Sequence, residues 1–253
     1  MMMLPLKRGI TYGPVQSRRL GRSLGINILP AGKKTCTLNC VYCQYGWTPY
    51  SSLDEMADVP WPSPEEVLHG VAQTLERTSP PPAYITFSGN GEPTLHPEFP
   101  AIVEGVIDLR NRLSPGSKTA ILTNSTVIDR EEVRAALAKL DVRILKLDAG
   151  NTETYHNYNK PLCMRDLEQL VTLLQTLNDV TVQSLFTSGD AGNLDPLHVD
   201  DWILKVVRVS PVHVQLYTLD RPYPSKKISP ASPQTLEEIR GRLEKHGISA
   251  AVY

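Results

Sequence analysis

The feature that most constrains this chain is an alternation of short, apolar, β-rich runs with longer segments of helical period. Candidate strands fall at Leu24–Leu29, Tyr84–Ser88, Thr119–Thr123, Arg143–Leu147, Val180–Leu185 and Val212–Tyr217. Candidate helices fall between and after them, at about Pro64–Arg77, Pro97–Leu113, Arg130–Lys139, Met164–Leu177, Leu197–Val209 and Pro233–Lys245. This is the pattern of repeated βα units around a parallel sheet, and six units predict an α/β fold, a partial (β/α)6 TIM-like barrel. Local signals agree. Ser63, Pro64 and Glu66 make an N-cap, a first-turn proline and a capping-box partner, ahead of an apolar face of Val67, Leu68, Val71, Ala72 and Leu75. Ser232-Pro233 repeats the start signal, Gly247 is a stop, and Ile248–Val252 is a candidate edge strand. The proline-rich stretches at 60–64, 80–82 and 222–233 are rigid loops between units, not domain linkers.

With 253 residues and 41% hydrophobic content, one substantial core is expected, as a single domain over 1–253 with a basic N-terminal extension at about 1–23. The formal net charge of −1 excludes a whole-molecule attraction to nucleic acid or acidic membranes. The bias is local: Lys7, Arg8, Arg18, Arg19, Arg22, Lys33 and Lys34 precede Thr35 without one acidic residue. No run approaches the roughly 18 apolar residues of a membrane span, and the N-terminus lacks a signal-peptide pattern. A cytoplasmic protein with no membrane partner is expected.

Three of the four cysteines lie within eight residues, Cys36-Thr-Leu-Asn-Cys40-Val-Tyr-Cys43, directly after the first candidate strand. In a β/α barrel that is the first βα loop, on the face where such folds place their chemistry. Soft thiolates suit zinc or an iron–sulfur cluster, and either usually takes four ligands. The fourth cysteine, Cys163, lies far along the chain. A cluster held by three cysteines leaves one iron open to a small molecule. After the second strand comes Ser88-Gly89-Asn90-Gly91-Glu92-Pro93-Thr94, a glycine-punctuated turn whose backbone can approach a ligand and whose Glu92 can accept from an ammonium. The third strand ends in Thr123-Asn124-Ser125-Thr126 and the fourth in Lys146-Leu147-Asp148-Ala149, which brings polar groups to the same mouth or caps the following turns. Arg221 can hold a substrate carboxylate or phosphate, or pair with Asp220.

The C-x3-C-x2-C spacing with Tyr42 before the last cysteine, and the Gly91-Glu92-Pro93 turn after strand two, resemble the signatures of the radical S-adenosylmethionine (SAM) superfamily. The resemblance implies a [4Fe–4S] cluster on Cys36, Cys40 and Cys43, with SAM on the open iron. It further implies that Glu92, with Gly91, receives the SAM amino group, that Tyr42 lies near the adenine, and that Asn124 or Ser125 and Asp148 reach the ribose or carboxylate. The implied activity is reductive cleavage of SAM to a 5′-deoxyadenosyl radical that abstracts hydrogen from a tRNA base, a peptide or a small metabolite. An electron donor such as flavodoxin or ferredoxin is also implied.

The run Tyr12-Gly13-Pro14-Val15-Gln16-Ser17-Arg18-Arg19-Leu20-Gly21-Arg22-Ser23-Leu24-Gly25-Ile26, with the cysteines and the Thr218–Pro222 segment, narrows the resemblance to iron–sulfur oxidoreductase-like proteins related to the wyosine-forming tRNA enzymes. Those enzymes carry a second cluster upstream, whereas no cysteine precedes Cys36 here. The length leaves no room for a large auxiliary domain, and for their substrate-binding lysine only Lys146 and Lys160 are candidates. Cys163 is an ordinary thiol or, as a catalytic residue, a hydrogen donor or relay. The competing readings are a non-catalytic zinc or iron–sulfur protein, and a tRNA-binding module resting on the basic N-terminus.

Overall fold

The computed structural model describes residues 3–56, 59–162 and 166–253. Its centre is an eight-stranded sheet formed, in spatial order, by β1 (Thr11–Ser17), β2 (Gly21–Ile26), β3 (Tyr84–Phe87), β4 (Lys118–Thr123), β5 (Val142–Lys146), β6 (Val180–Leu185), β8 (His213–Tyr217) and β10 (Ala250–Val252). Every pairing from β2 to β10 is parallel, and β1 alone runs antiparallel to its neighbour. The short β7 (Thr187–Ser188) and β9 (Ser229–Pro230) pair with each other outside it. The helices α1 (Pro64–Arg77), α2 (Phe99–Leu113), α3 (Glu131–Ala138), α5 (Leu167–Leu174), α6 (Pro196–Val209) and α7 (Pro233–Lys245) connect the parallel strands or precede the last. The expected α/β fold with repeated βα units is what the chain adopts.

Local chemistry explains the boundaries. Ser63 Oγ accepts from Glu66 N at 3.2 Å while Glu66 Oε2 accepts from Ser63 N at 2.7 Å, completing the expected capping box of α1. The buried stripe Val67, Val71 and Leu75 joins the same core as Leu24, Ile26, Ile85 and Phe87 of β2 and β3. Burying each of these side chains contributes about 1.5–3 kcal/mol. No helix among the described residues is long and apolar enough to cross a membrane.

The structure differs from the sequence expectations in several places, the short β7 and β9 among them. β1 was not foreseen: it is an edge strand, largely exposed or half-buried, so it lacks the apolar alternation that marks a strand. β2 runs from Gly21 to Ile26 rather than to Leu29, because Ile28 and Leu29 are buried by packing after the ladder has ended. A helical turn, α4 (Thr152–Thr154), continues into a π-turn over Tyr155–Asn159 where no element was expected. Of the helix expected at Met164–Leu177, α5 is what the described residues show; Met164 and Cys163 lie outside them.

Trp202 of α6 links the helical layer to the chain after β5. It is 1% exposed, meets Phe186 edge-on at 4.9 Å, and donates from Nε1 to Leu147 O at 2.7 Å. The approach is so close that a Cβ on Gly150 would sit 2.0 Å from Trp202 N. Trp202→Ala is expected to lower the unfolding free energy by about 3–5 kcal/mol in urea titrations. Leu197→Ala, at a site 72% exposed on the same helix, is expected to change it by less than about 0.5 kcal/mol.

Candidate active site

The loop carrying Cys36, Cys40 and Cys43 leaves β2 and has little regular structure, so other loops must hold it. On one side Thr35 N donates to Asn90 O and Glu92 N donates to Thr35 O, both at 2.9 Å, forming a parallel bridge between Thr35 and Gly91. Gly91 has φ +152°, and a Cβ there would lie 1.7 Å from Thr35 O. Its lack of a side chain is therefore required by the fold itself. On the other side Asn39 N donates to Asn159 O at 2.9 Å, Val41 N to Tyr158 O at 3.0 Å, and Leu162 N to Thr37 O at 2.8 Å. The π-turn thus serves as a backbone cradle for the cysteine loop.

Side chains complete the support. Asn124 Nδ2 donates to Thr37 Oγ1 at 2.9 Å and to Cys36 Sγ at 3.5 Å, while Asn159 Nδ2 approaches Cys40 Sγ at 3.5 Å. Lys34 is 4% exposed and donates to Gly46 O at 2.9 Å, within electrostatic reach of all three cysteines. Burial pushes the Cys36 thiol up to about 12, against the opposing pull of the Lys34 charge. Burial likewise raises Cys40, with Lys146 opposing it.

A cavity of about 440 Å³ opens at the carboxyl ends of the parallel strands, within the usual size of small-molecule sites. Cys36, Cys40, Cys43, Tyr42, Gly91, Glu92 and Asn124 all line it. Among the described residues no three cysteine, histidine or acidic side chains converge to hold one metal ion. The three cysteines share the cavity wall without closing on a single point.

Glu92 is 1% exposed and takes four donors: Thr94 N at 3.1 Å, Thr94 Oγ1 and Thr123 Oγ1 at 2.6 Å each, and Asn124 N at 2.5 Å. Burial raises its pKa, and these donors oppose the rise. Asp148 and Ser125 do not line the cavity. Asp148 sits behind the wall, where it accepts from Tyr42 OH, from Asn159 Nδ2 at 2.7 Å and from Leu185 N at 3.0 Å. Lys146 Nζ donates to Tyr42 OH at 2.5 Å and lies 3.4 Å from Asp148. Burial is the largest single influence on Lys146 and lowers its pKa, but the Asp148 carboxylate, Tyr217 and Cys40 together outweigh it and hold the lysine above its ordinary value. Ser125 is fully buried with φ +68°, and its Oγ has no hydrogen-bond partner among the described residues.

The N-terminal basic run meets this site. Lys7, Arg18, Arg19 and Lys34 line the cavity together with Lys146 and Arg221, against the carboxylates Glu92 and Asp220. Asp220 pairs with Arg18 at 2.6 Å rather than with Arg221, which donates to Gln44 Oε1 at 3.0 Å. Lys160, the other candidate lysine, lies with its Nζ 5.9 Å from the exposed Trp47 ring and is not on the cavity wall. Asn90 was missed from sequence: Asn90 Oδ1 accepts from Lys7 N at 2.7 Å, and Asn90 Nδ2 donates to Lys7 O and Pro30 O at 2.8 and 3.0 Å. Asn159 was missed too, since it joins Asp148 of its own connection to Asn39 and Cys40, more than a hundred positions away in the cysteine loop. Gln183 within β6 and Tyr217 at the end of β8 also line the cavity.

Residues 33–192 match the family model of the Radical SAM superfamily. The chain belongs to that superfamily, whose enzymes work with a [4Fe–4S] cluster and SAM. A UPF0026 protein of Synechocystis sp. is 33% identical over 222 residues, covering 85% of this chain and 77% of that relative. A protein of Brachyspira hyodysenteriae named GTPase Obg is 30% identical over 94% of this chain, which spans only 34% of its length. Among solved structures, a radical SAM methyltransferase from Sphaerobacter thermophilus has a TM-score of 0.68 at 17% identity, over 91% of this chain and 65% of that one. The wyosine enzyme TYW1 with a lysine–pyruvate adduct bound has a TM-score of 0.61 at 17% identity, over 88% of this chain and 73% of that one. At that identity the likeness is one of fold.

Two substitutions test the supports. Gly91→Ala is expected to destabilise the protein by about 1–3 kcal/mol from its backbone conformation, with more from the clash at Thr35, measured by urea titration. Asp148→Ala removes the carboxylate beside Lys146, whose side chain is 19% exposed at the cavity, and leaves the buried donors of Tyr42 and Asn159 without their acceptor, at an expected cost of about 1–3 kcal/mol. A loss under about 1 kcal/mol in the same titration would show the pair to be solvated.

Proposed function

We propose that Cys36, Cys40 and Cys43 hold the [4Fe–4S] cluster, and that this chain is a radical SAM enzyme abstracting hydrogen from a substrate admitted to the cavity. The carrying observation is that the three thiols, Tyr42, Gly91, Glu92 and Asn124 line one cavity although they come from three separate βα loops. The donor set suits the group: three soft sulfurs satisfy three irons of a cubane cluster and leave the fourth for a further ligand. When bound, the cluster supplies the electron that splits SAM into methionine and a 5′-deoxyadenosyl radical.

The chain's own residues do the positioning. Glu92, buried yet fixed by four donors, presents negative charge toward an ammonium without having to reorganise. Asn124 orients Cys36, and Asn159 orients Cys40, by side-chain contacts to sulfur. Asp148 acts through Tyr42 and Lys146 rather than at the cavity surface, locking the aromatic ring beside Cys43. Ser125 N donates to Thr123 Oγ1 at 3.1 Å within the turn that carries Asn124. The polar lining from Ser23, Thr86 and Gln183 gives a substrate hydrogen-bonding partners beside Leu122 and Leu185. The basic rim favours a phosphate-bearing substrate, a tRNA base among the classes named above, because phosphate contacts come largely from arginine and lysine. Flavodoxin or ferredoxin is the proposed electron donor.

The test is anaerobic reconstitution with iron and sulfide, reduction by dithionite, and chromatography of 5′-deoxyadenosine and methionine. The parent chain is expected to bind about four irons and to cleave SAM. The Cys36→Ala/Cys40→Ala/Cys43→Ala variant is expected to do neither. A parent protein that retains zinc and neither binds nor cleaves SAM would overturn the reading.

A further inference from the structure

Arg19 lies in the turn between β1 and β2, and that turn is fixed: Ser17 Oγ accepts from Arg19 N at 3.3 Å and from Leu20 N at 3.2 Å. Its guanidinium is stacked on the Tyr217 ring, 4.6 Å from the centroid, and both residues line the cavity. Its Nη1 is buried and has no hydrogen-bond partner among the described residues. A guanidinium carries five donors, and a buried one left without an acceptor is unfavourable.

No carboxylate on the cavity wall is free to serve it. Glu92 is taken up by four donors, and Asp220 is paired with Arg18. Arg18 and Arg19, adjacent in sequence, therefore differ: the first is neutralised by Asp220, and the second keeps its charge inside the cavity. Tyr217 in turn is held near Gln183, its OH 3.4 Å from Gln183 Oε1, and Gln183 Nε2 donates to Gln215 Oε1 at 2.9 Å. Lys146 lies within electrostatic reach of the same ring, so two cations flank Tyr217. A stacked, pre-oriented guanidinium with an unused donor is suited to an anion presenting two oxygens.

We propose that Arg19, stacked on Tyr217, anchors an anionic oxygen group of the substrate, a phosphate or a carboxylate, inside the cavity that the cysteine loop lines. It is a specificity-determining residue contributed by the N-terminal hairpin. The proposal rests on this cavity being the reaction site, but its test does not require a cluster.

The two probes are inorganic phosphate and citrate, titrated calorimetrically at constant ionic strength into the reconstituted protein, with and without saturating SAM. One anion per chain is expected to bind. Arg19→Gln is expected to weaken it about tenfold or more, and Arg19→Lys to restore part of the loss, since lysine keeps the charge without the fork. Arg240→Gln, at a half-buried position on α7 paired with Glu237 and Glu244 and away from the cavity, is expected to leave anion binding unchanged. The preferred probe distinguishes a phosphate-bearing substrate from a carboxylate-bearing one.

SAM itself carries a carboxylate, so its affinity is the deciding control. It is expected to stay within about twofold in Arg19→Gln. A loss of SAM affinity instead would assign Arg19 to the cofactor and overturn the proposal. So would equal anion binding by parent and Arg19→Gln, or no saturable binding of either probe by the parent. If Arg19→Gln melts well below the parent, Arg19→Lys carries the comparison. The parent protein without added iron and sulfide is expected to bind the anion as the reconstituted protein does, so failure of the cluster assignment leaves this result interpretable.

Discussion

The cysteine loop has almost no hydrogen-bonded structure of its own, and the site depends on backbone bonds that two other loops make to it. One set runs from the turn after β3 through Gly91, and the other from the π-turn after β5 through Tyr158, Asn159 and Leu162. Loops that carry buried groups must satisfy their backbone donors and acceptors somewhere. Here that accounting also fixes the positions of three thiols. The contact at Gly91 leaves no room for a Cβ, which ties the glycine of the Gly-Glu-Pro turn to the cysteine loop as firmly as to any ligand.

Charge is arranged in two layers around that loop. In the cavity wall, Lys34 stands close to the cysteines and Glu92 is wrapped by donors, so each charge has a fixed environment that needs no rearrangement when a ligand enters. Behind it, Asp148, Lys146, Tyr42 and Asn159 form a network of which Asp148 is the hub. The network links β5, the π-turn and the cysteine motif, so a change at any member is felt at the thiols. The N-terminal hairpin adds further positive charge at the mouth, which a chain of net charge −1 does not advertise in bulk.

Much of this was legible. Strands β3 to β6 and β8, and the helices between them, followed from period and capping because each buries a regular face. The cysteine motif, Gly91 and Glu92 were found because glycine placement and ligand spacing leave a local signature. β1 was missed because an edge strand needs no alternating apolar face, and the π-turn because Tyr158 is buried against partners remote in sequence, Tyr42, Leu185 and Thr187. Asp148 is read from sequence either as a group reaching ligand or as a cap on the following turn, and the structure sets it behind Tyr42. Nothing in Lys146-Leu147-Asp148 tells which of the two charged residues points to the cavity, since that depends on strand orientation and on partners far along the chain. Asn90 and Asn159 left no signal either, as asparagines are common in turns.

The sequence by itself determined the βα repeat, the position of the cysteines in the first βα loop, and the residue types available for a cluster and its ligand. These are local properties, set by spacing within one or two turns of chain. The tertiary structure alone decided that seven predicted residues line one cavity, that Asp148 supports rather than lines it, and that Arg19 keeps an unpaired donor there. Those facts depend on contacts such as Asn159 with Cys40 and Arg19 with Tyr217, between residues more than a hundred positions apart. No local propensity encodes such pairs, because they exist only after the parallel sheet has brought the loops together.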